Sequence, residues 1–443
     1  MKYSKKSNGI LLTSDPSKQE IAEAIYNLTI LNEDERSRME QAAYKIWEER
    51  FDATKNARKF CEYLESFNEE KKRKVVLVTN GYPFGGEKSF IENELVEIYS
   101  RFDVFIIAMI EDEVFDERIK KCDEAIERVK RLSGRKNGAI EAVIFDMRWS
   151  LLKCVRYIPN YFLDKRIIKE KLALKSYKKN KLLAQWESIK YYSKAIIFMK
   201  QLKSVEDKSF GNAIFYTYWH LYSTLGICLN KKNFPDSKII TREHGYDLYD
   251  ERFEKTNRQP FREVMEEYLD GIFFACEYGK IYYLNRNHVK DSKKYQISYL
   301  GTKKPLKRDT KKEEGVFRIL SCSNLIQLKR VGNIIDALEV IGEKRLKTNI
   351  EWIHFGGGFL QDYLEKEANQ KLSRYENIAY KFMGAVDNEI VHEYYSSHKV
   401  DCFITTSSTE GGTPVSIQEA MSYGIVIIGT DVGGIKEAFD ENI

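Results

Sequence analysis

Long apolar runs are missing from this 443-residue sequence. Nothing approaches the roughly 18–20 consecutive apolar residues of a membrane span, so no transmembrane helix is expected. The basic start, Met1-Lys-Tyr-Ser-Lys-Lys, leads into no apolar stretch, so no signal peptide is expected. Proline is scarce, at 7 residues, which fits short, regular connections. The seven cysteines (61, 122, 154, 228, 276, 322, 402) are dispersed and include no CxxC pair. That excludes a disulfide framework or a cysteine zinc site and points to reduced thiols in a cytoplasm. No G-x-x-x-x-G-K-S/T loop occurs, which disfavours an NTPase. Disorder is disfavoured too, because 43% of residues are apolar and 13% aromatic. Length alone suggests two or three domains.

From residue 73 onward, strand-like runs alternate with amphipathic helical stretches. Runs at 75–79, 104–108, 213–218, 238–241, 272–275 and 296–300 form one strand set. Runs at 317–322, 351–355, 379–383, 401–405 and 425–429 form a second. Near-continuous Val, Ile and Phe runs between helices point to parallel sheets covered on both faces, hence two doubly wound α/β domains. The polar segment 303–315 reads as the linker between them. The first 72 residues break the pattern. They hold one short strand at 9–13 after an Asn8-Gly9 turn, then helices near 17–28, 34–50 and 53–67. Ser17 with Glu20 predicts a capping box, and Asn32 a second cap. A lone strand must borrow neighbours from elsewhere.

The net charge of +5 hides an asymmetry: residues 151–208 hold 15 Lys/Arg against 5 Asp/Glu, a local +10 that leaves −5 for the rest. Aromatics are interleaved there, with Trp149 just before. An anionic membrane surface, nucleic acid and an ordinary solvated helix pair are the competing readings. No nucleic-acid module is recognisable, so no nucleic-acid partner is expected.

The segment most suggestive of chemistry is 405–424. A strand ends, a loop with Glu410, Gly411, Gly412 and Thr413 follows, and a helix starts near Pro414 and Val415. Backbone N–H groups at such a start, with the helix dipole, make an anion site. With Glu410 in the loop and Glu419 in the helix, one carboxylate can meet sugar hydroxyls while the other reaches a ribose, with phosphates between them.

These residues resemble the family 4 retaining glycosyltransferases of GT-B fold. The family signature is Glu-Gly, a proline, a second Glu eight positions after the first, Ala-x-x-x-Gly, a strand and Asp-Val-Gly-Gly. Here Glu410 and Glu419 are nine apart, and Ala420…Gly424 and Asp431-Val-Gly-Gly434 follow. The resemblance implies that Glu419 is the ribose ligand and Glu410 the sugar-side carboxylate. Upstream, Lys329 matches a family lysine on the diphosphate. Asn324 stands where the family has an arginine, and Arg330 is the available substitute. The glycine turn at Gly356 and the loop at Met383-Gly384, whose backbone meets the base, agree. In the first domain, Gly85-Gly86 resembles the loop near the donor phosphates and acceptor. The stretch Thr241…Tyr249 resembles the one carrying an active-site histidine, here His244 with Arg242 and Asp247 beside it.

The resemblance implies an α/β GT-B fold, two Rossmann-like domains facing a cleft. The segment at 9–51 resembles the family's C-terminal part, so a circular permutation is expected, with a fused remnant as the alternative. The domain boundaries are then 1–72, completing the nucleotide-binding domain through an edge strand at 9–13; 73–301, the acceptor side, with a basic helical insert at about 140–208; and 302–443, the donor side. The implied function is metal-independent hexosyl transfer from a UDP- or GDP-sugar substrate, with no cofactor. The acceptor is a glycan, lipid-linked, in surface polysaccharide biosynthesis, at the cytoplasmic face of a membrane. The competing reading is a catalytically impaired relative that binds glycans or membranes.

Overall fold

Near-continuous Val, Ile and Phe runs become two seven-stranded sheets in the computed structural model. It describes residues 3–67, 74–84, 88–111, 116–177, 180–205, 208–253, 255–305, 315–344 and 348–440. In chain order the strands are β1 (Ser4–Lys6), β2 (Gly9–Leu12), β3 (Lys74–Thr79), β4 (Asp103–Ile110), β5 (Ile140–Asp146), β6 (Ile214–Thr217) and β7 (Lys238–Glu243). They continue as β8 (Gly271–Phe274), β9 (Tyr295–Ile297), β10 (Val316–Cys322), β11 (Asn349–Phe355), β12 (Ile378–Phe382), β13 (Cys402–Thr405) and β14 (Val426–Thr430). The chain divides into one unit of Met1–Asp52 with Leu300–Ile443 and another of Ala53–Tyr299.

In the 53–299 unit the order is β5-β4-β3-β6-β7-β8-β9, all parallel. The other unit has the order β1-β2-β14-β13-β10-β11-β12, parallel except for β1. In both, the chain runs outward from a central strand and then restarts on that strand's other side. The switch points fall between β3 and β6, and between β10 and β13. Open parallel sheets bind ligands at the carboxyl ends of strands beside such a switch.

The N-terminal segment is built into the second of these sheets. Strand β2 pairs in parallel with β14, Gly9 opposite Ile427 and Leu12 opposite Thr430. Position 9 needs glycine, because a Cβ there would lie 2.0 Å from the Ile427 carbonyl oxygen. Asn8 is fully buried, and its Nδ2 donates to the Ala438 carbonyl at 2.8 Å. The sequence places 9–13 at the sheet edge; the structure places β2 one strand in. The outer strand is β1, folded back antiparallel through the two residues before Gly9. Ile443 and most of the 303–315 linker lie outside the described residues.

The helices behind β2 are apolar on one face only. Lys18–Thr29 starts at Ser17, whose Oγ accepts from the Glu20 N–H at 3.2 Å. The expected reciprocal bond is missing, because the Glu20 carboxylate accepts from the Thr13 N–H at 2.7 Å instead. Asn32 and Glu35 do form a full capping box at the helix Glu33–Ile46. Ile21, Ile25 and Leu28 join Ile10, Leu12, Ile334 and Leu338 in one core. Trp47 and Phe51 are also fully buried. The Trp47 Nε1–H donates to Thr302 Oγ1 at 2.7 Å.

The helix Ala53–Ser66 belongs to the other unit, so the chain crosses at Asp52–Ala53 rather than at the expected 72. Its Phe60, Cys61 and Leu64 complete a core with Leu77, Tyr216 and Phe273. The insert also differs at its start. Residues 140–146 form β5, hydrogen-bonded along β4, because Ile140 and Phe145 find buried places on that sheet. The helices Leu151–Val155, Ile158–Leu163, Ile168–Ser176 and Lys181–Val205 follow. Among the described residues no helix is long and apolar enough to cross a membrane.

Candidate functional site

Strand β10 runs into a loop and a short turn, Gln327–Lys329, which Arg330 ends with φ 47°. The loop after β13 is fastened to that turn. Thr406 Oγ1 donates to the Lys329 carbonyl at 3.1 Å, and the Ser408 N–H donates to the Leu328 carbonyl at 2.8 Å. This brings the Lys329 ammonium onto the Glu410 carboxylate as an ion pair, with both side chains mostly buried. Charge-assisted contacts of this kind are the strong ones.

The Asp431-Val-Gly-Gly434 turn supports the same loop from behind. A Cβ on Gly433, where φ is 51°, would lie 2.0 Å from the Glu410 carbonyl oxygen. Thr413 Oγ1 donates to the Gly434 carbonyl at 2.7 Å. Pro414 caps the helix Val415–Ser422 instead of standing first within it, since its ψ of 138° is extended. The Ile417 N–H donates to the Pro414 carbonyl at 3.1 Å, which leaves the Val415 and Ser416 amides without an intrahelical acceptor at the positive end of the dipole. Glu419, farther along this helix, is 5% exposed. It accepts from Asn388 Nδ2 at 2.9 Å, with His392 Nε2 3.5 Å away. Burial, then the Glu419 charge, pushes the Cys322 thiol up to about 12, while Lys329 pulls it back. Both charges therefore reach the end of β10.

The neighbouring strand ends close up on this edge. Gly356 has φ 126°, and a Cβ there would lie 2.0 Å from the Ser323 carbonyl oxygen. Its N–H donates to the Gly384 carbonyl at 2.9 Å, and the Met383 N–H donates to the His354 carbonyl at 2.9 Å. His354 itself is buried and bridges Ser321 Oγ at 2.8 Å and the Ser323 carbonyl at 3.1 Å. Burial pulls its imidazole down to about 4, so it is neutral and donates through Nε2.

The 53–299 unit holds His244 at the end of β7. Its ring lies 4.3 Å from the Trp219 ring and 5.0 Å from the Tyr218 ring. Neither ring nitrogen has a hydrogen-bond partner among the described residues. Burial, then Arg242, pulls the imidazole from the usual range down to about 3.

Residues 302–443 match the family model described as Glycosyl transferases group 1. That stretch is similar to a glycosyl transferases group 1 domain. No curated protein matches the chain. Among solved structures it is similar to Anabaena HepE in complex with UDP and glucose, at 12% identity and a TM-score of 0.51, over 84% of each chain. It is also similar to TarM, at 13% identity and 0.52, over 83% of this chain and 87% of that one. The UDP-forming α,α-trehalose-phosphate synthase of Burkholderia vietnamiensis is similar at 10% identity and 0.50, over 82% and 86%. These likenesses are of fold: two parallel-sheet, Rossmann-like halves of GT-B type.

Within residues 302–443, Lys329, Glu410, Gly411, Gly412, Thr413, Pro414, Val415, Glu419, Gly356, Met383 and Gly384 lie along one edge, in the segments that follow the carboxyl ends of β10, β11, β12 and β13. Asn324 is exposed on the same edge. Arg330 is not turned to the anion site. Its guanidinium donates to the Thr406, Ser407 and Ser14 carbonyls and to Asp15. The αL backbone at 330 aims it there, and its work is to fasten the N-terminal segment. Two expected residues of the other unit are likewise structural. Arg242 is 1% exposed, donates to Glu94 at 2.5 Å and to Ser298, and stacks on Phe60. Asp247 is fully buried and accepts from the His220 and His244 N–H groups at 2.9 and 2.8 Å, which positions His244. Gly85 and Gly86 lie outside the described residues.

Asn388 and His392 are partners of Glu419 that the sequence reading missed, and nothing in the sequence marks them. His354 stands two residues before the Gly356 turn, where its role is hidden by the glycines after it. The buried pair His220–Glu243, at 2.5 Å, was missed as well.

His244 carries a pH signature. An unfolded histidine protonates near 6.5, whereas this one stays neutral to about 3. The unfolded state thus binds more protons below about pH 6.5, and His244 makes stability fall progressively as pH drops from there. In an imidazole NMR titration between about pH 5 and 8, its signal should not move. A midpoint near 6.5 would show a ring open to solvent.

Proposed function

We propose that the chain is a retaining glycosyltransferase of family 4 type, moving a hexose from a UDP- or GDP-sugar to a glycan acceptor. The observation that carries this reading is the Lys329–Glu410 pair beside the first turn of Val415–Ser422, with Glu419 farther along the same helix. Lys329 and the first-turn amides take the diphosphate charge as it develops, so transfer needs no metal. Glu419, held by Asn388, binds the ribose hydroxyls. Glu410 turns to the sugar once phosphate claims Lys329. Attack and departure occur on one face of the donor sugar. His244, neutral and without a hydrogen-bond partner among the described residues, is the group of the 53–299 unit available to bond a ligand hydroxyl. Anabaena HepE is described with UDP and glucose, which supports UDP as the first nucleotide to test.

A thermal-shift screen of UDP, GDP and their sugars tests the reading, because a ligand of the folded state raises its melting temperature. Donor hydrolysis in EDTA then tests turnover without metal. Glu419→Ala should abolish most of the nucleotide shift. A wild-type chain that neither shifts nor hydrolyses any donor would leave the second reading, a glycan- or membrane-binding relative. Asn324 favours that alternative, since it stands exposed where the family has a cation and Arg330 is engaged elsewhere.

The same proposal places a lipid-linked acceptor of surface polysaccharide synthesis at the cytoplasmic face of an anionic membrane. Leu152, Leu163 and Leu182 are 84%, 79% and 84% exposed, with Trp149 and Phe162 also exposed, and lysines at 153, 165 and 181 stand beside them. Each nearby cation adds about 1 kcal/mol on an anionic surface and is screened by salt. Vesicles with anionic lipid should bind the protein and release it on added salt. Equal, negligible binding to neutral and anionic vesicles would return these helices to plain solvated ones.

We also read the chain order as a circular permutation of the family order. Its support is the parallel fit of β2 on β14, with residues 1–52 inside the donor unit.

A further inference from the structure

Four charged or titratable side chains of the 53–299 unit are buried together near the carboxyl ends of β6 and β7. His220, Glu243 and Asp247 are fully buried, and Arg262 is 8% exposed. Groups of this kind are tolerated inside a protein only when paired and hydrogen-bonded. Here the pairing joins three separate segments: 218–220 after β6, 243–247 at the end of β7, and the helix Arg262–Glu266.

Asp247 ties the first two. Its Oδ2 accepts from the His220 N–H at 2.9 Å, and its Oδ1 accepts from the His244 N–H at 2.8 Å. Arg262 spans the same two loops. Its Nη1 donates to the His220 carbonyl at 3.1 Å, and its Nη2 donates to the Asp247 carbonyl. Glu243 closes the ring, with Oε1 2.5 Å from His220 Nδ1 and 3.4 Å from Arg262 Nη1. The cluster therefore holds both backbone groups of His220 and the N–H of His244. Trp219, whose ring lies 4.3 Å from the His244 ring, immediately precedes His220. The backbone from which the two neighbouring rings project is thus fixed from within.

Burial pushes the Asp247 carboxyl up to about 6, while the His220 N–H, the Arg262 charge and the His244 N–H pull it back. The bond that places His244 therefore also helps keep Asp247 ionised near neutral pH.

We propose that Arg262, Glu243 and His220 are positioning residues for His244, acting through Asp247 and touching no ligand themselves. The consequence for turnover rests on the transferase reading, whereas the placement of His244 does not.

The test is imidazole NMR of the histidine-labelled full chain, with donor hydrolysis run beside it. His244→Gln assigns the signal. Glu243→Gln and Asp247→Asn keep the shape of a buried side chain and remove its charge. Arg262→Lys keeps the charge and removes the fork that spans two carbonyls. In the wild type the His244 signal should stay still between about pH 5 and 8. In the variants the loosened loop admits water, so the signal should begin to titrate near the ordinary value of about 6.5. Donor kcat should fall by about 10- to 100-fold with donor KM unchanged, the scale of a misplaced group. Amide exchange on β3 and β6 reports that the unit stays folded. A His244 signal that stays still in every folded variant, or collapse of the fold in all three, would overturn the proposal and make the cluster structural alone. A moved signal with unchanged kcat upholds the positioning and sinks His244 as a ligand contact. A wild type that hydrolyses no donor sinks the transferase reading, and the signal alone then decides this inference.

Discussion

Removing residues 1–52 should abolish nucleotide binding while leaving the 53–299 unit folded. The deletion strips β2 from β14 and opens the hydrogen-bonding edge of a buried strand. It also takes Ile10, Leu12, Ile21, Ile25, Leu28 and Met39 out of the core they share with Ile334 and Leu338. Each such side chain is worth about 1.5–3 kcal/mol when buried, and a whole domain has only about 5–15 kcal/mol in hand. The loss therefore exceeds what the unit can bear. Hydrogen exchange on the truncated chain should show β3, β4 and β6 protected and β10, β13 and β14 open. A truncated chain with a normal nucleotide-induced melting shift would mean that the segment is an appendage and that the permutation reading is wrong.

Separating Lys329 from Glu410 should split binding from turnover. If Lys329 holds the diphosphate as proposed, Lys329→Ala removes a charge-assisted contact, and nucleotide affinity should fall by about 1.5–3 kcal/mol. Glu410→Gln keeps the shape of the loop and removes the charge. Nucleotide affinity should be nearly retained, while turnover drops by roughly 10²–10³, the scale of losing one preorganised electrostatic group. The double variant should lose less than the two single losses combined, because the residues touch and each single change strands the other charge. Equal kcat in wild type and Glu410→Gln would remove Glu410 from the chemistry. Strict additivity would mean that the ion pair has no part in shaping the site.

The parts of the fold that could be read in advance are those whose information is local. Runs such as 317–322 and 425–429 are apolar enough to be central strands wherever they sit. The glycines of 356 and 433 mark backbone contacts that no side chain permits, and Gly384 takes a φ of 69°, so motif order alone brings Lys329 and Glu410 onto one edge. What stayed hidden depends on distant partners. Arg242 beside a histidine looks like a phosphate ligand until Glu94, 148 positions away, is seen to hold it. Arg330 looks like a spare cation until its αL backbone and the carbonyls of Ser14, Thr406 and Ser407 account for it. Strand β5 was absorbed into the basic insert because Ile140-Glu-Ala-Val-Ile-Phe-Asp146 alternates only loosely, and β4 alone decides its face. Ser4–Lys6 carries no strand signal, since it needs only β2 to pair with.

The partnership of Leu12 with Thr430 also sets a timetable for synthesis. On the ribosome the first strand of that pair emerges 418 residues before the second. At about 5–20 residues per second, the wait is roughly 20–80 s. Throughout it, Ile10, Leu12, Ile21 and Ile25 have no finished core to enter, while the intervening unit can fold by itself. The nascent chain thus carries an unsatisfied apolar segment until β14 has emerged. Protein made in cells should depend on holding chaperones more than a protein whose paired strands emerge close together, and slower translation should lower its soluble yield instead of raising it.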